Sequence, residues 1–246
     1  MLEVRGLTKN FGALRASDSI DFDVAEGETH AVIGPNGAGK TTFISQLAGN
    51  LRPDAGVIRF AGEDVTRLPA HARARKGFAR SFQITSVFPD FSALHNVALS
   101  VQAQLGRTGF WRDARRDPAL IGPAREILEE VGLGQRADAP AANMSHGEHR
   151  QLEVAMALAT KPRLLLLDEP MAGMGVEESQ RMIELLSRLK QAKTIILVEH
   201  DMDAVFRLAD RISVMVDGRL VATGAPEKIR MNEEVRKAYL GDELAA

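Results

Sequence analysis

A chain of 246 residues, 45% hydrophobic and 26% charged, has the make-up of a globular protein with a sizeable core, which excludes a disordered or fibrous chain. Its 31 Lys and Arg against 33 Asp and Glu leave a net charge of −2, which argues against a strongly basic nucleic-acid binder. With no cysteine there is no disulfide framework, thiolate metal site or cysteine nucleophile, and no apolar run approaches the roughly 20 residues that span a bilayer. The opening residues, 1–12, lack the apolar stretch of a secretory signal, so the expected setting is cytoplasmic.

Residues 2–60 read as short strands broken by turns. Residues 19–24 alternate apolar and polar, as a half-buried strand does, and Glu26-Gly27-Glu28 is a turn. Thr29–Ile33 is a more continuous apolar run than 19–24, as expected of a buried strand, and leads into a Gly-rich loop and a helix over Lys40–Ala48. Residues 56–60 and 78–82 read as further strands. Helical spacing follows over 92–104, 123–131 and 145–160, with a polar, basic stretch around Trp111 between the first two. Residues 86–160 are therefore expected to form a helical lobe inserted into an α/β core of 1–85 and 161–246, the whole being one domain. The core resumes with a buried strand at 164–167, a helix at 177–190, a strand at Thr194–Val198, a helix at Met202–Leu208 and a strand at Arg211–Val216. Asp217-Gly218 is a hairpin turn signal. Strands alternating with helices imply a largely parallel sheet covered on both faces.

Two motifs carry chemistry. Gly34-Pro35-Asn36-Gly37-Ala38-Gly39-Lys40-Thr41 matches GxxxxGK[ST] and lies between a buried strand and a helix, where a phosphate loop belongs. Backbone N–H groups of Asn36, Gly37, Ala38, Gly39, Lys40, Thr41 and Thr42 would curl around phosphate oxygens at a helix N-terminus. Lys40 would reach the β- and γ-phosphates of ATP, and the Thr41 hydroxyl would ligate Mg²⁺. The second motif is four leucines followed by Asp168-Glu169-Pro170. A buried strand ending in acids puts charge at the carboxyl edge of a sheet, where ligands of α/β folds bind. Asp168 is the expected Mg²⁺ anchor. Glu169 is placed to polarise a water for attack on the γ-phosphate, which favours hydrolysis over mere binding.

With these motifs the sequence resembles the ATP-binding subunit of an ABC transporter, and further segments in the right order extend the resemblance. Ser81-Phe82-Gln83 resembles the Q-loop, which implies that Gln83 contacts Mg²⁺ and the attacking water. Met144-Ser145-His146-Gly147-Glu148 resembles the signature motif, with His146 and Glu148 in place of the usual Gly and Gln. The same residues also read as a capping box opening a helix. In the family, Ser145 and Gly147 would face a γ-phosphate held by the other subunit. Val198-Glu199-His200-Asp201 resembles the H-loop, with His200 on the γ-phosphate, and Phe11 stands where the family stacks an aromatic on adenine. Gly175 departs from the pattern, standing where the D-loop usually has Asp.

The resemblance implies a P-loop NTPase core of ABC type with an antiparallel β subdomain and an inserted helical subdomain. It implies ATP hydrolysis coupled to transport, with Glu169, His200, Gln83 and Lys40 as catalytic residues, Thr41, Gln83 and Asp168 toward Mg²⁺, and ATP as the nucleotide. The implied partners are a second ATPase subunit (a copy or a paralogue), membrane permease subunits docked in the groove behind Gln83, and indirectly a solute-binding protein, with no nucleic acid. The implied location is peripheral, on the cytoplasmic face of the inner or plasma membrane. The segments 146–148, 172–174, the basic stretch around Trp111 and residues 235–241 look like the branched-chain amino-acid uptake branch. Alternatives are urea or short-amide transport, lipopolysaccharide extraction, or a soluble ABC ATPase acting on nucleic acid or the ribosome. The soluble relatives usually carry two ATPase units or a long coiled coil, whereas this chain has one phosphate loop and no heptad run. A regulator without turnover conflicts with the intact Glu169 and His200.

Overall fold

Two sheets organise the protein in the computed structural model, which describes residues 1–81, 87–106 and 117–235. The first is antiparallel. Strand β1 (Leu2–Phe11) turns through Gly12 into β2 (Leu14–Val24), and β4 (Ala55–Phe60) and β5 (Glu63–Asp64) complete the order β2-β1-β4-β5. The strand expected over 19–24 is the second half of β2. Its Ile20, Phe22 and Val24 alternate inward and join Leu2, Val4, Ile58 and Phe60, all 2% exposed or less.

The second sheet has the order β10-β9-β3-β8-β7-β6. It comprises β3 (Thr29–Ile33), β6 (Phe78–Arg80), β7 (Leu164–Asp168), β8 (Thr194–Val198), β9 (Arg211–Val216) and β10 (Arg219–Gly224). All neighbours are parallel except β9 and β10, which are joined by the Asp217-Gly218 turn with φ of 45° and 78°. Both positive angles suit the tight hairpin turn that this dipeptide signals. The strand expected over 78–82 is described as far as Arg80, and Phe82 lies outside the described residues.

Helix α1 (Lys40–Ala48) follows β3, and α2 (Ala70–Arg75) precedes β6. Next come α3 (Ala93–Gln104), α4 (Pro118–Glu130) and α5 (His146–Ala159), which pack on one another. Helix α6 (Val176–Leu189), α7 (Met202–Leu208) and α8 (Pro226–Met231) lie between and after the later strands. Helix α4 begins five residues before the expected 123. Asp117 caps it by accepting from the Ala119 N–H, and Pro118 takes the first turn, where a missing N–H costs nothing. Pro123 then sits inside the helix. The apolar stripe Leu120, Ala124, Leu128 is buried at four-residue spacing and outweighs the one backbone bond that Pro123 forgoes.

Period-two alternation splits the parallel sheet between two cores. Leu164, Leu166, Ile196 and Val198 face α1 and the antiparallel sheet. Leu165, Leu167, Ile195 and Leu197 face α6, and their cluster continues through α5 into α3 and α4. The sheet is thus covered on both faces, and the helices of residues 93–159 share the core of the sheet.

One buried histidine gives the fold an acid sensitivity. His30, 1% exposed on β3, lies 3.2 Å from the Asp23 carbonyl through Nδ1 and 2.8 Å from Ser213 Oγ through Nε2. A carbonyl only accepts, so Nδ1 carries the proton and Nε2 accepts from the serine hydroxyl. Burial, then the nearby Arg211 charge, depress the imidazole from 6.5 to about 3, against the pull of Asp23. The unfolded chain therefore takes up a proton near 6.5 that the folded chain refuses until about 3. The contribution is complete above pH 6.5 and is lost as pH falls through that window, by about 2 kcal/mol at pH 5. His30→Gln should flatten the dependence of denaturation midpoint on pH between 6.5 and 5. An equally steep dependence in the variant would reject the assignment.

Candidate active site

The phosphate loop leaves β3 at Ile33 and enters α1 at Lys40. Two glycines are demanded by close backbone approach. A Cβ on Gly34 would lie 2.0 Å from the Met215 carbonyl oxygen, and one on Gly39 would lie 2.2 Å from that of Ala16. Gly39, at φ 101°, opens α1 with no side-chain cap, and no acid occupies the first turn. The first N–H groups of the helix and its positive dipole end are therefore left to an anion. Lys40 Nζ donates to the carbonyls of Gly34 at 2.6 Å and Pro35 at 3.0 Å, which holds the loop curled around the ammonium. Burial lowers the lysine pKa, opposed by the charges of Glu169 and Asp168.

A cleft of about 630 Å³ opens over this loop, lined by Phe11, by residues 36–42 and by Glu169. Phe11 is 49% exposed and pairs across the β1–β2 hairpin with Leu14, which is 67% exposed. Two apolar side chains at a hairpin tip beside a phosphate loop form a platform for a planar ring. The cleft also takes in Leu14, Arg15, Ala16, Asp217 and Gly218, which the sequence motifs do not mark. The Gly218 N–H donates to the Ala38 carbonyl at 2.9 Å, so the β9–β10 turn braces the loop. The Asp-Gly signal announced a turn, but only the pairing of β9 with β3 brings it here.

Strand register aligns the acids. Val32 of β3 and Asp168 of β7 both lie opposite Val198 of β8, so the two motifs leave the sheet at the same level. Asp168 is 2% exposed, and its Oδ2 accepts from Arg80 Nη2 at 2.9 Å. Arg80 also donates to Ser45 Oγ of α1 at 3.2 Å. Asp168 Oδ1 is buried and has no hydrogen-bond partner. An orphaned carboxylate oxygen at this level fits a metal-bound water, and the Thr41 hydroxyl lies on the cleft wall. Among the described residues no three His, Asp or Glu side chains cluster as a metal site. Glu169 sits at φ 51°, an uncommon backbone for a non-glycine, held by its N–H to the Val198 carbonyl at 2.8 Å. That bend turns it into the cleft.

Glu199, which no motif reading singled out, ties the exits of β7 and β8 together. It is 1% exposed and accepts from the Met171 N–H at 2.9 Å and the His200 N–H at 3.0 Å. Burial raises its carboxyl pKa, with those backbone bonds opposing. His200 lies exposed at the β8 exit, with Nδ1 3.7 Å from Glu199, and does not line the cleft. Gln83 lies outside the described residues.

Ser145 and Gly147 also lie apart from Lys40. Ser145 caps α5 by accepting from the Glu148 N–H at 3.2 Å, while Glu148 accepts from the Ser145 N–H at 2.8 Å. The capping-box reading of this segment holds, and the segment faces a separate cleft of about 380 Å³. A third, mainly apolar groove of about 280 Å³ runs between α2 and α5, with Ala70, Ala74, Phe78, Met156 and Ala157 on its walls. Gly175 caps α6, its N–H 3.3 Å from Glu178 Oε2.

Residues 17–172 match the family described as ABC transporter, and residues 219–245 match the one described as branched-chain amino acid ATP-binding cassette transporter. The chain is 39% identical over 251 residues to the high-affinity branched-chain amino acid transport ATP-binding protein BraF of Pseudomonas aeruginosa, covering 98% of each. It is 36% identical to the corresponding protein LivG of Escherichia coli (strain K12), again over 98% of each. It is also 36% identical to Nod factor export ATP-binding protein I of Burkholderia lata, covering 100% of this chain and 80% of that one. Among solved structures it superposes on a nucleotide-free ATP-binding cassette from an ABC transporter with a TM-score of 0.86 at 25% identity, covering 98% and 99% of the two chains. The ADP conformation of the cassette MJ1267 gives 0.85 at 25%, covering 98% of each.

Proposed function

The chain belongs to the ABC transporter family of ATP-binding proteins, and from that premise we propose that it hydrolyses MgATP to drive import of branched-chain amino acids. The observation that carries the chemistry is the single cleft joining Phe11, the phosphate loop and Glu169. The match of residues 219–245 supports the cargo, since overall identity near 36% is shared with a relative named for Nod factor export.

In this reading Phe11 offers its exposed face to adenine, and the first amides of α1 hold the phosphates. Lys40 exchanges the Gly34 and Pro35 carbonyls for β- and γ-phosphate oxygens. Thr41 and Asp168 would hold Mg²⁺, which neutralises charge on the phosphates when bound. Glu169 orients the attacking water, with Gln83 and His200 completing the site around the γ-phosphate. Ser145 and Gly147, on a separate cleft, serve the γ-phosphate of a second subunit, so a working site needs two. Residues 86–160 act as the helical lobe that carries this segment. The apolar groove between α2 and α5 receives a permease segment, which holds the chain at the cytoplasmic face of the membrane. No described helix is long and apolar enough to cross it.

Vesicles holding this chain with its permease and solute-binding protein should take up leucine only with MgATP. Uptake of urea or a short amide instead would redirect the cargo. No ATP-dependent uptake would overturn the transport reading.

A further inference from the structure

The N-terminus of α5 already carries an anion from its own chain. Ser145 Oγ donates to Glu178 Oε1 at 3.0 Å, and the Gly175 N–H donates to Glu178 Oε2 at 3.3 Å. The Gly147 amide reaches the same carboxylate, so closely that a Cβ on Gly147 would lie 2.6 Å from it. One carboxylate thus takes the hydroxyl and the amide that the proposed function assigns to a terminal phosphate. Ser145 has one O–H to give, and two anions within contact repel. We propose that Glu178 is an internal stand-in for that phosphate, which holds Ser145 and Gly147 until nucleotide on a second subunit displaces it. The inference rests on the reading of Ser145 as acting across a subunit pair.

The released carboxylate has a destination. Arg181, three residues further along α6, lines the same cleft, and its charge already acts on Glu178. Pairs at this spacing are neighbours on a helix surface. Glu178 is half-buried and lines that cleft together with Arg181. Release also changes the loop after Glu169. That loop, residues 170–175, is tied to the α5 segment by Glu178 on Gly175 and by His146 Nε2 donating to the Ala172 carbonyl at 2.9 Å. Entry of a phosphate at Ser145 would therefore loosen one of two ties on the segment that follows the water-orienting acid.

The test is ATP-dependent dimerisation of the full chain carrying Glu169→Gln, which keeps nucleotide unhydrolysed, followed by light scattering over a concentration series with MgATP. Adding Glu178→Ala should tighten the dimer about fivefold to tenfold, because each dimer sheds two exposed competing contacts. Adding Glu178→Gln should tighten it less, since the amide oxygen still accepts from Ser145. Binding of a fluorescent ATP analogue to the dilute chain should be the same in all three. A residue that merely positions the loop would weaken the dimer when removed, so the sign separates the two roles. Where the Glu169→Gln parent dimerises, dimerisation that is unchanged, weaker or absent on adding Glu178→Ala, with nucleotide still bound, overturns the proposal alone. Failure of the Glu169→Gln chain itself to bind nucleotide, or to dimerise once nucleotide is bound, overturns both the proposal and the reading beneath it.

Discussion

Glu169→Gln should leave ATP bound and slow its hydrolysis by at least about 10²-fold, equivalent to about 3 kcal/mol of barrier. The glutamine has the same shape and can adopt the same backbone, so the left-handed bend at φ 51° and the bond from residue 169 N–H to the Val198 carbonyl are kept. What is lost is the carboxylate charge beside the phosphate loop, the one proposed to orient the attacking water. Lys40 also loses one of the two acids that oppose its desolvation, which slightly favours release of its proton but leaves the phosphate itself to hold it charged. The measurement is steady-state phosphate release by the purified transporter complex, beside nucleotide affinity. Near-normal turnover would remove Glu169 from the catalytic role.

Lys40→Ala should weaken ATP binding by about 10²-fold or more, since an ammonium making charge-assisted bonds to phosphate is worth roughly 1.5–3 kcal/mol per contact. Lys40 is the one side-chain cation in the loop of residues 34–41, and it is 7% exposed with its Nζ aimed along the loop carbonyls. The substitution also frees those carbonyls, so a second variant separates binding from loop integrity. Arg15 lines the same cleft, but its side chain is 57% exposed and already pairs with Asp18 at 2.9 Å. Arg15→Ala should cost less than tenfold, within about 1 kcal/mol for an exposed pair. Calorimetry with MgATP reads both. Unchanged affinity in Lys40→Ala would mean that the loop is not the nucleotide site.

Much of this site is written in short stretches of chain. A buried strand, a Gly-rich turn and a helix within twenty residues are enough to specify the phosphate loop, because φ, backbone amides and the helix end are local properties. The same holds for Leu164 to Glu169, where an apolar run ends in acids, and for Ser145 with Glu148, a cap spaced by one helical turn. Helices and buried strands such as Thr29–Ile33, Lys40–Ala48 and Thr194–Val198 follow from periodicity alone. Helix α4 shows the limit of such reading. Pro123 looks like a start, yet Asp117 and Pro118 supply a better one, and buried Leu120 repays the longer helix.

Local pattern thus determined which groups exist: the phosphate loop, the paired acids, the capped α5 and the family they resemble. Sheet order decided which groups meet. With β8 between β3 and β7, one register row carries both motifs to a common edge, and pairing of β9 with β3 swings the Asp217-Gly218 turn onto Ala38. Arg80 reaches Asp168 across 88 residues, and Glu199 reaches Met171 across 28. Glu178 reaches Ser145 across 33 and lies on a different helix. No periodicity encodes such contacts, because each depends on strand order and crossover geometry rather than on neighbours in the chain. For the same reason only the fold shows that Ser145 lies on a different cleft from Lys40, the observation on which the proposed second subunit rests.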